Sequence, residues 1–398
     1  MKEKVLIFCD FYLPGHKSGG GMWTVVNLVD RFADRYDFYI VTRNYESKGD
    51  REPYTTVSSG AWNTVGKAQV FYLATEHYSL KTFVSIFSEI SPDAVFLNSA
   101  FSMPVVKFLT SRRKRLIPRV PIILAPCGEF SAGALSIKPF KKKLFLAYAK
   151  AIGLYEDIIW KASFESEKEE IGKMIGADAE IHIAPDLAPK SILPEFDFSS
   201  KPIKEYGSAR FVFLSRIARK KNIHFFLERL AELDSGQVTV DLLGPVEDTD
   251  YWNDCLATAR QCPPFVAVNA EANFIPYEEG LERMRNSHFF VLPTLGENFG
   301  YVFVEAMAAG APLLISDRTA WTELEERNAG WQVSLDSPEE WLAAIKRCVE
   351  MDPISYQEMS MNARSYALDW LNDDRTEKAT ADIFERAIRG KHSAAANE

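Results

Sequence analysis

Short uninterrupted apolar runs, each followed by a polar turn and then a helical pattern, recur along the 398-residue chain. The first is Val5-Leu-Ile-Phe-Cys9, and others fall at Ala94 to Leu97, Pro121 to Ala125 and Glu180 to Ala184. A strand without polar alternation must be covered on both faces, which implies a parallel sheet between helices. After the first run comes a loop with Pro14 and Gly19-Gly20-Gly21, then Met22, Val25, Val26, Val29 and Phe32 at helical spacing, then a strand around Phe38 to Thr42. Pro185, Pro189, Pro194 and Pro202, with Ser199, Ser200 and Gly207, mark a linker. A second series follows at Phe211 to Leu214, Val238 to Leu243, His288 to Leu292 and Leu313 to Ile315. The expected architecture is α/β: two doubly wound Rossmann-like domains, 1–195 and 208–365, facing each other across a cleft, with a C-terminal helical segment at 366–390.

Composition narrows the partners. The chain has 46 Lys and Arg against 55 Asp and Glu, a formal net charge of -9. That balance does not promise the broad positive surface that nucleic acid requires. A small anion needs only a local cluster of cations. Cys9, Cys127, Cys255, Cys262 and Cys348 are odd in number and scattered, with no CxxC pair, so neither a disulfide framework nor a zinc site is expected. His16, His77, His182, His224, His288 and His392 show no metal-ligand spacing. No run approaches the ~18 apolar residues of a membrane span, and the opening apolar stretch is too short for a signal peptide. A reduced cytoplasmic protein needing no metal is the expectation.

Three segments of the second half carry the chemistry: Ser215-Arg216-Ile-Ala-Arg219-Lys220-Lys221-Asn222, Gly244-Pro245, and Pro293-Thr-Leu-Gly-Glu297-Asn-Phe-Gly300. Each follows the C-terminal end of an expected strand, where ligands bind in open α/β sheets. Arg216 offers a bidentate fork and Lys221 a compact charge, and both can serve one anion. Asn298, Phe299 and Gly300 precede a helical pattern through Phe303, Ala306 and Met307, whose start favours a second anion. Two phosphate devices at one crevice suggest a diphosphate. Glu297 and Glu305 then need hydroxyl partners, which a nucleotide sugar supplies at both ends.

At these residues the chain resembles the retaining glycosyltransferases of family 4, which have the GT-B fold. The resemblance rests on Ser215-Arg216 through Lys221-Asn222, on the Glu297-x7-Glu305 motif continuing to Gly310-Ala-Pro312, and on the Gly19–Gly21 loop. It implies that Arg216 and Lys221 neutralise a departing pyrophosphate, with Glu297 on the transferred sugar and Glu305 on the ribose. Gly244, Asn298 to Gly300, and backbone near Ile275 would complete the donor side, with Gly19, Gly20 and Gly21 reaching it from the first domain. Retention in this family is explained by front-face attack, so Glu297 is not cast as a covalent nucleophile.

The segment Ala125-Pro-Cys127-Gly128-Glu129-Phe-Ser-Ala-Gly133 resembles one in members that build polysaccharides and lipid-linked glycans. That resemblance puts Asn98, Cys127, Gly128 and Glu129 on the acceptor side. Cys127 stands where that subgroup often has arginine and others a histidine. Pro185-Asp186-Leu187 likewise replaces the common Pro-Asn-Gly. Tyr366, Trp370 and the pattern through Ile383 to Ile388 resemble the family's helix that leaves the second domain for the first.

Blander readings exist for each feature. Glu305 alone is an ordinary helix carboxylate, Arg216 and Lys221 alone are solvated loop charges, and the glycines alone are a turn. Cys127 reads as a packed residue rather than a nucleophile. Arg112 to Arg115 is a charge run, whereas Lys138 and Lys141 to Lys143 beside Phe140, Leu144 and Phe145 have the mixture of a membrane-surface helix. That implies peripheral contact at the inner membrane face and a lipid-linked acceptor. The expected function is transfer of a hexose-type unit from a nucleotide-diphosphate sugar in surface polysaccharide or glycolipid assembly. Competing readings are a nucleotide-sugar epimerase or a phosphorylase on the same fold, and a catalytically silent sugar-nucleotide-binding scaffold subunit.

Overall fold

A computed structural model describes residues 2–46, 50, 52–136, 139–189 and 197–395, with backbone alone for 391–395. Lys138 and the linker position Pro194 lie outside the described residues. The chain divides into two units: residues up to Leu187 together with those from Asp374, and Ala188–Asp373.

The first unit contains β1 (Glu3–Phe8), α1 (Gly20–Phe32), β2 (Tyr36–Arg43), β3 (Trp62–Val65), β4 (Ala68–Leu73), α2 (Leu80–Ile90), β5 (Ala94–Asn98), α3 (Met103–Arg113), β6 (Ile122–Ala125), α4 (Ala132–Ser136), α5 (Pro139–Ala151), β7 (Ile159–Ala162), α6 (Glu165–Ile175) and β8 (Glu180–Ile183). Its sheet has the order β3-β4-β2-β1-β5-β6-β7-β8. All pairs are parallel except the β3–β4 hairpin. Val5 to Phe8 are fully buried because each sheet face is covered. Leu6 and Phe8 join a core with Phe83, Phe87 and Phe108, while Val5 and Ile7 join another with Val25, Leu28 and Phe32.

The second unit contains β9 (Ser208–Leu214), α7 (Ile223–Ala231), β10 (Gln237–Leu243), α8 (Thr249–Ala259), β11 (Val266–Glu271), α9 (Tyr277–Arg285), β12 (Phe289–Leu292), α10 (Tyr301–Ala308), β13 (Leu313–Ser316), β14 (Gly330–Val333), α11 (Pro338–Glu350) and α12 (Pro353–Leu371). Its six strands are all parallel, in the order β11-β10-β9-β12-β13-β14. This is a doubly wound sheet whose direction of growth reverses between β9 and β12.

Two boundaries differ from the sequence expectation. The segment around Pro202 is not a loose linker, since buried Lys201 donates to the carbonyls of Arg285, Ser287 and Ala309, and Lys204 to those of Glu205, Val349 and Met351. An ammonium saturated by three carbonyls fixes the chain to the second unit from there on. At the other end, Tyr366 and Trp370 lie on α12 in the second unit, and the chain re-enters the first at α13 (Asp374–Ala395). Phe384 on α13 stacks on Phe96 with ring centroids 5.9 Å apart, and Ala381, Ile383 and Ile388 join the core of Val5 and Ile7.

Candidate active site

In the second unit three loops meet at the carboxyl ends of the strands, where β9 and β12 part company. The loop after β12 is fastened to the loop after β9: Leu295 N donates to Lys220 O at 2.8 Å, and the Thr294 hydroxyl to the same carbonyl at 3.1 Å. The Ser316 hydroxyl holds the Thr294 carbonyl at 2.6 Å, and Glu297 N donates to Arg318 O at 3.0 Å. The third loop joins through Ile217 N to Pro245 O at 2.9 Å. Gly244 permits this approach, because at its φ of 137° a Cβ would stand 2.0 Å from the Ser215 carbonyl oxygen. No other residue fits there.

Within this junction Lys221 and Glu297 form an ion pair, with side chains only 11% and 19% exposed. Burial pushes the Glu297 carboxyl up, but Lys221, Lys220 and Arg216 outweigh it and hold the group below its ordinary range. Arg216 pairs with Glu247 at 2.6 Å, both side chains about half exposed. Such exposed pairs are worth only ~0–1 kcal/mol, so the guanidinium can exchange Glu247 for an anionic ligand at little cost. Arg219 faces elsewhere, bonded to Asp248 at 2.9 Å and lying over the Tyr251 ring.

Glu305 sits half-buried on α10, and burial alone raises its carboxyl to about 7. It is near enough to the Tyr277 phenol that, after burial, it is the next cause raising that group. The loop holding buried Ile275 therefore lies beside Glu305, with Phe274 and Tyr277 partly exposed on either side. A half-buried carboxylate with no cation beside it among the described residues is suited to accept bonds from neutral hydroxyls.

Gly300 opens α10 in the left-handed region at φ 73°, where a Cβ would come within 2.5 Å of the Phe303 ring. The positive end of the helix dipole thus lies at the Glu297–Gly300 loop. Beneath it the buried Phe299 carbonyl accepts the Trp321 indole N–H at 2.7 Å. The Phe299 ring packs on Tyr301 and Trp370, with centroids 4.9 and 4.8 Å away. Asn298 is half-buried beside them. Sequence reasoning missed Trp321 and Glu247, since nothing in their local pattern marks them, and it placed Trp370 on the helix entering the first domain rather than against Phe299. Lys220 stood in plain view within the basic run.

The first unit gathers the other residues singled out. Gly19 caps α1 and Gly20 and Gly21 start it. Asn98, ending β5, donates to the Gly21 carbonyl at 2.5 Å and accepts the Cys127 thiol at 3.0 Å. Cys127 is left-handed at φ 52°, and burial drives its thiol well above the ordinary range, which disarms it as a nucleophile. Gly128 N donates to Glu167 at 2.6 Å. Glu129 is occupied with its own neighbourhood, accepting the Ser99 hydroxyl at 2.8 Å and the amides of Ala100 and Phe101 at 2.6 and 3.2 Å. Below lies a buried pair, Lys161 and Asp186, at 2.7 Å. The second Asp186 oxygen accepts the Thr24 hydroxyl of α1 at 3.1 Å. Among the described residues no group of three or more His, Cys, Asp or Glu could hold a metal ion.

Residues 208–351 match the family described as glycosyl transferases group 1. No curated protein matches the chain. Among solved structures, the sucrose-phosphate synthase of Thermosynechococcus elongatus superposes with a TM-score of 0.74 at 14% identity, covering 98% of this chain and 100% of that one. HepE of Anabaena, solved with UDP and glucose, gives 0.68 at 15% identity, covering 96% and 100%. WaaG, a glycosyltransferase involved in lipopolysaccharide biosynthesis, gives 0.67 at 14%, covering 95% and 99%. The fold is GT-B, two Rossmann-like units with parallel sheets, and the family match lies within the second unit.

Proposed function

We propose that the chain is a retaining glycosyltransferase of family 4 that moves a hexose-type sugar from a nucleotide-diphosphate donor to a glycan or lipid-linked acceptor. The observation that carries the reading is the Lys221–Glu297 pair with Arg216 beside it, at the carboxyl ends of β9 and β12. Donor chemistry of this kind is supported by HepE, whose structure holds UDP and glucose. Surface polysaccharide or glycolipid assembly is the context favoured by WaaG's role in lipopolysaccharide biosynthesis.

In this reading Arg216 and Lys221 take the charge of the departing diphosphate without a metal. Glu305 accepts the ribose hydroxyls and Glu297 a hydroxyl of the transferred sugar, while Gly244, Asn298 to Gly300 and the backbone at Ile275 line the donor. The bond from the anomeric carbon to the diphosphate oxygen breaks as the acceptor oxygen attacks from the same face. The acceptor proton passes to the departing phosphate oxygen. The protein supplies positioning and charge, and one such stabilising group is worth roughly a hundredfold or more in rate. Acceptor recognition falls to the first unit, with Asn98 and Cys127 at its strand ends.

A thermal-shift series of nucleoside diphosphates tests the reading: one of them raises the melting temperature, as a ligand of the folded state must. The same nucleotide as its sugar conjugate is then hydrolysed slowly without acceptor. Stabilisation with no hydrolysis indicates a silent binding subunit, and no stabilisation by any diphosphate contradicts the proposal.

A further inference from the structure

The helix α5 carries a face that the donor site does not use. Phe140, Leu144 and Tyr148 are 78%, 62% and 59% exposed, and they stand at i, i+4 and i+8 on one side. At 3.6 residues per turn these positions spread over only about 80° of the helix. Ala147 and Ala151 fill the same side, and both are exposed. The opposite side is anchored, with Ala149 buried and Phe145 and Leu146 packed on the core of the first unit. Large exposed apolar side chains scattered singly need no explanation, but a contiguous stripe does.

Charge frames that stripe. Lys143 and Lys150 project on one flank and Lys141 on the other, all exposed and none in a salt bridge among the described residues. Lys142 turns inward instead, donating to the Ala134 carbonyl at 2.6 Å and lying over the Phe101 ring. From Phe130 to Tyr155 the sequence has five lysines and no Asp or Glu, in a chain whose net charge is -9. A protein partner chosen by apolar contact alone would not need that local reversal.

We propose that this face of α5 lies flat on an anionic lipid bilayer. The apolar stripe enters the boundary between headgroups and acyl chains, and Lys141, Lys143 and Lys150 meet the lipid phosphates and carboxylates. No helix of the described residues is long and apolar enough to cross a membrane, so contact of this kind is peripheral. The inference does not depend on the donor reading, because docking uses none of the residues assigned there.

The full-length chain is sedimented with vesicles of phosphatidylcholine, with and without phosphatidylserine, and every variant is first checked for an unchanged melting temperature. Wild type pellets with the phosphatidylserine vesicles and is released as salt rises. Changing Lys141, Lys143 and Lys150 together to Gln lowers the partition coefficient about a hundredfold, at about fivefold per lysine. The double variant Phe140→Ser and Leu144→Ser abolishes pelleting at any salt. Failure of wild type to bind either vesicle overturns the proposal, as does binding to both alike that survives these substitutions. A concentration-dependent dimer that Leu144→Ser dissociates, without vesicle binding, overturns it in favour of a second copy of the chain.

Discussion

Lys221 and Glu297 lie 76 positions apart and yet form one nearly buried ion pair, joining the loop after β9 to the loop after β12. Lys221 helps hold the Glu297 carboxyl below its ordinary range, and each side chain fixes the other's position. Glu297→Gln keeps the size and removes the charge, so it should lower kcat/KM roughly a hundredfold, and it should also lower the melting temperature because Lys221 is left nearly buried without its carboxylate. Steady-state kinetics with a saturating acceptor check this.

Gly244 is a steric requirement of the same junction. Its Cβ position is 2.0 Å from backbone, at a φ of 137° that side chains rarely adopt. Gly244→Ala should destabilise the fold by ~2 kcal/mol or more and raise donor KM, since the Ser215–Asn222 loop must retreat. Urea denaturation and donor titration on the same preparation test both effects.

Glu305 gives a pH dependence with a definite sign. Its carboxyl is raised by burial to about 7 in the folded chain, above its ordinary 4.5. Its stabilising contribution is therefore complete below the unfolded value and is lost as pH rises through about 7. Donor hydroxyls bond better to the ionised form, so donor affinity should rise over the same window. Calorimetry across it should show that rise in the wild type and a flatter profile in Glu305→Gln.

The Lys161–Asp186 pair is buried, with each side chain 5% exposed. Burial opposes the ammonium, but Asp186 more than offsets it and holds the Lys161 pKa above the ordinary range. Lys161→Met strands a buried carboxylate and should cost ~3–5 kcal/mol, whereas adding Asp186→Leu should recover much of the loss. Equal destabilisation of the single and double variants, measured by denaturant unfolding, would contradict this.

Much of this was legible because parallel strands buried on both faces leave continuous apolar runs, as at Val5 to Cys9 and Phe211 to Leu214. Three of the strands that escape notice lack that signal. Val266–Glu271 is an edge strand with half its side chains in water, Trp62–Val65 is the outer arm of a hairpin, and Ile159–Ala162 contains the charged Lys161. The loops of the candidate site could be located because each directly follows a clear strand. What sequence could not supply were pairings across distance: Trp321 under Phe299, Glu247 on Arg216, and Asp186 beside Lys161. The resemblance puts Tyr366 and Trp370 on the helix entering the first unit, but the polar Asn372-Asp373 break ends α12 before that helix begins.

The central claim is that Arg216 and Lys221 grip a diphosphate, and its most direct test compares ligands that differ by one phosphate. Isothermal titration of the nucleoside diphosphate that binds, and of its monophosphate, yields an affinity ratio for wild type, Arg216→Ala and Lys221→Ala. The account predicts that wild type strongly prefers the diphosphate and that each substitution collapses the ratio while leaving monophosphate affinity nearly intact. A ratio undiminished in both variants would contradict it.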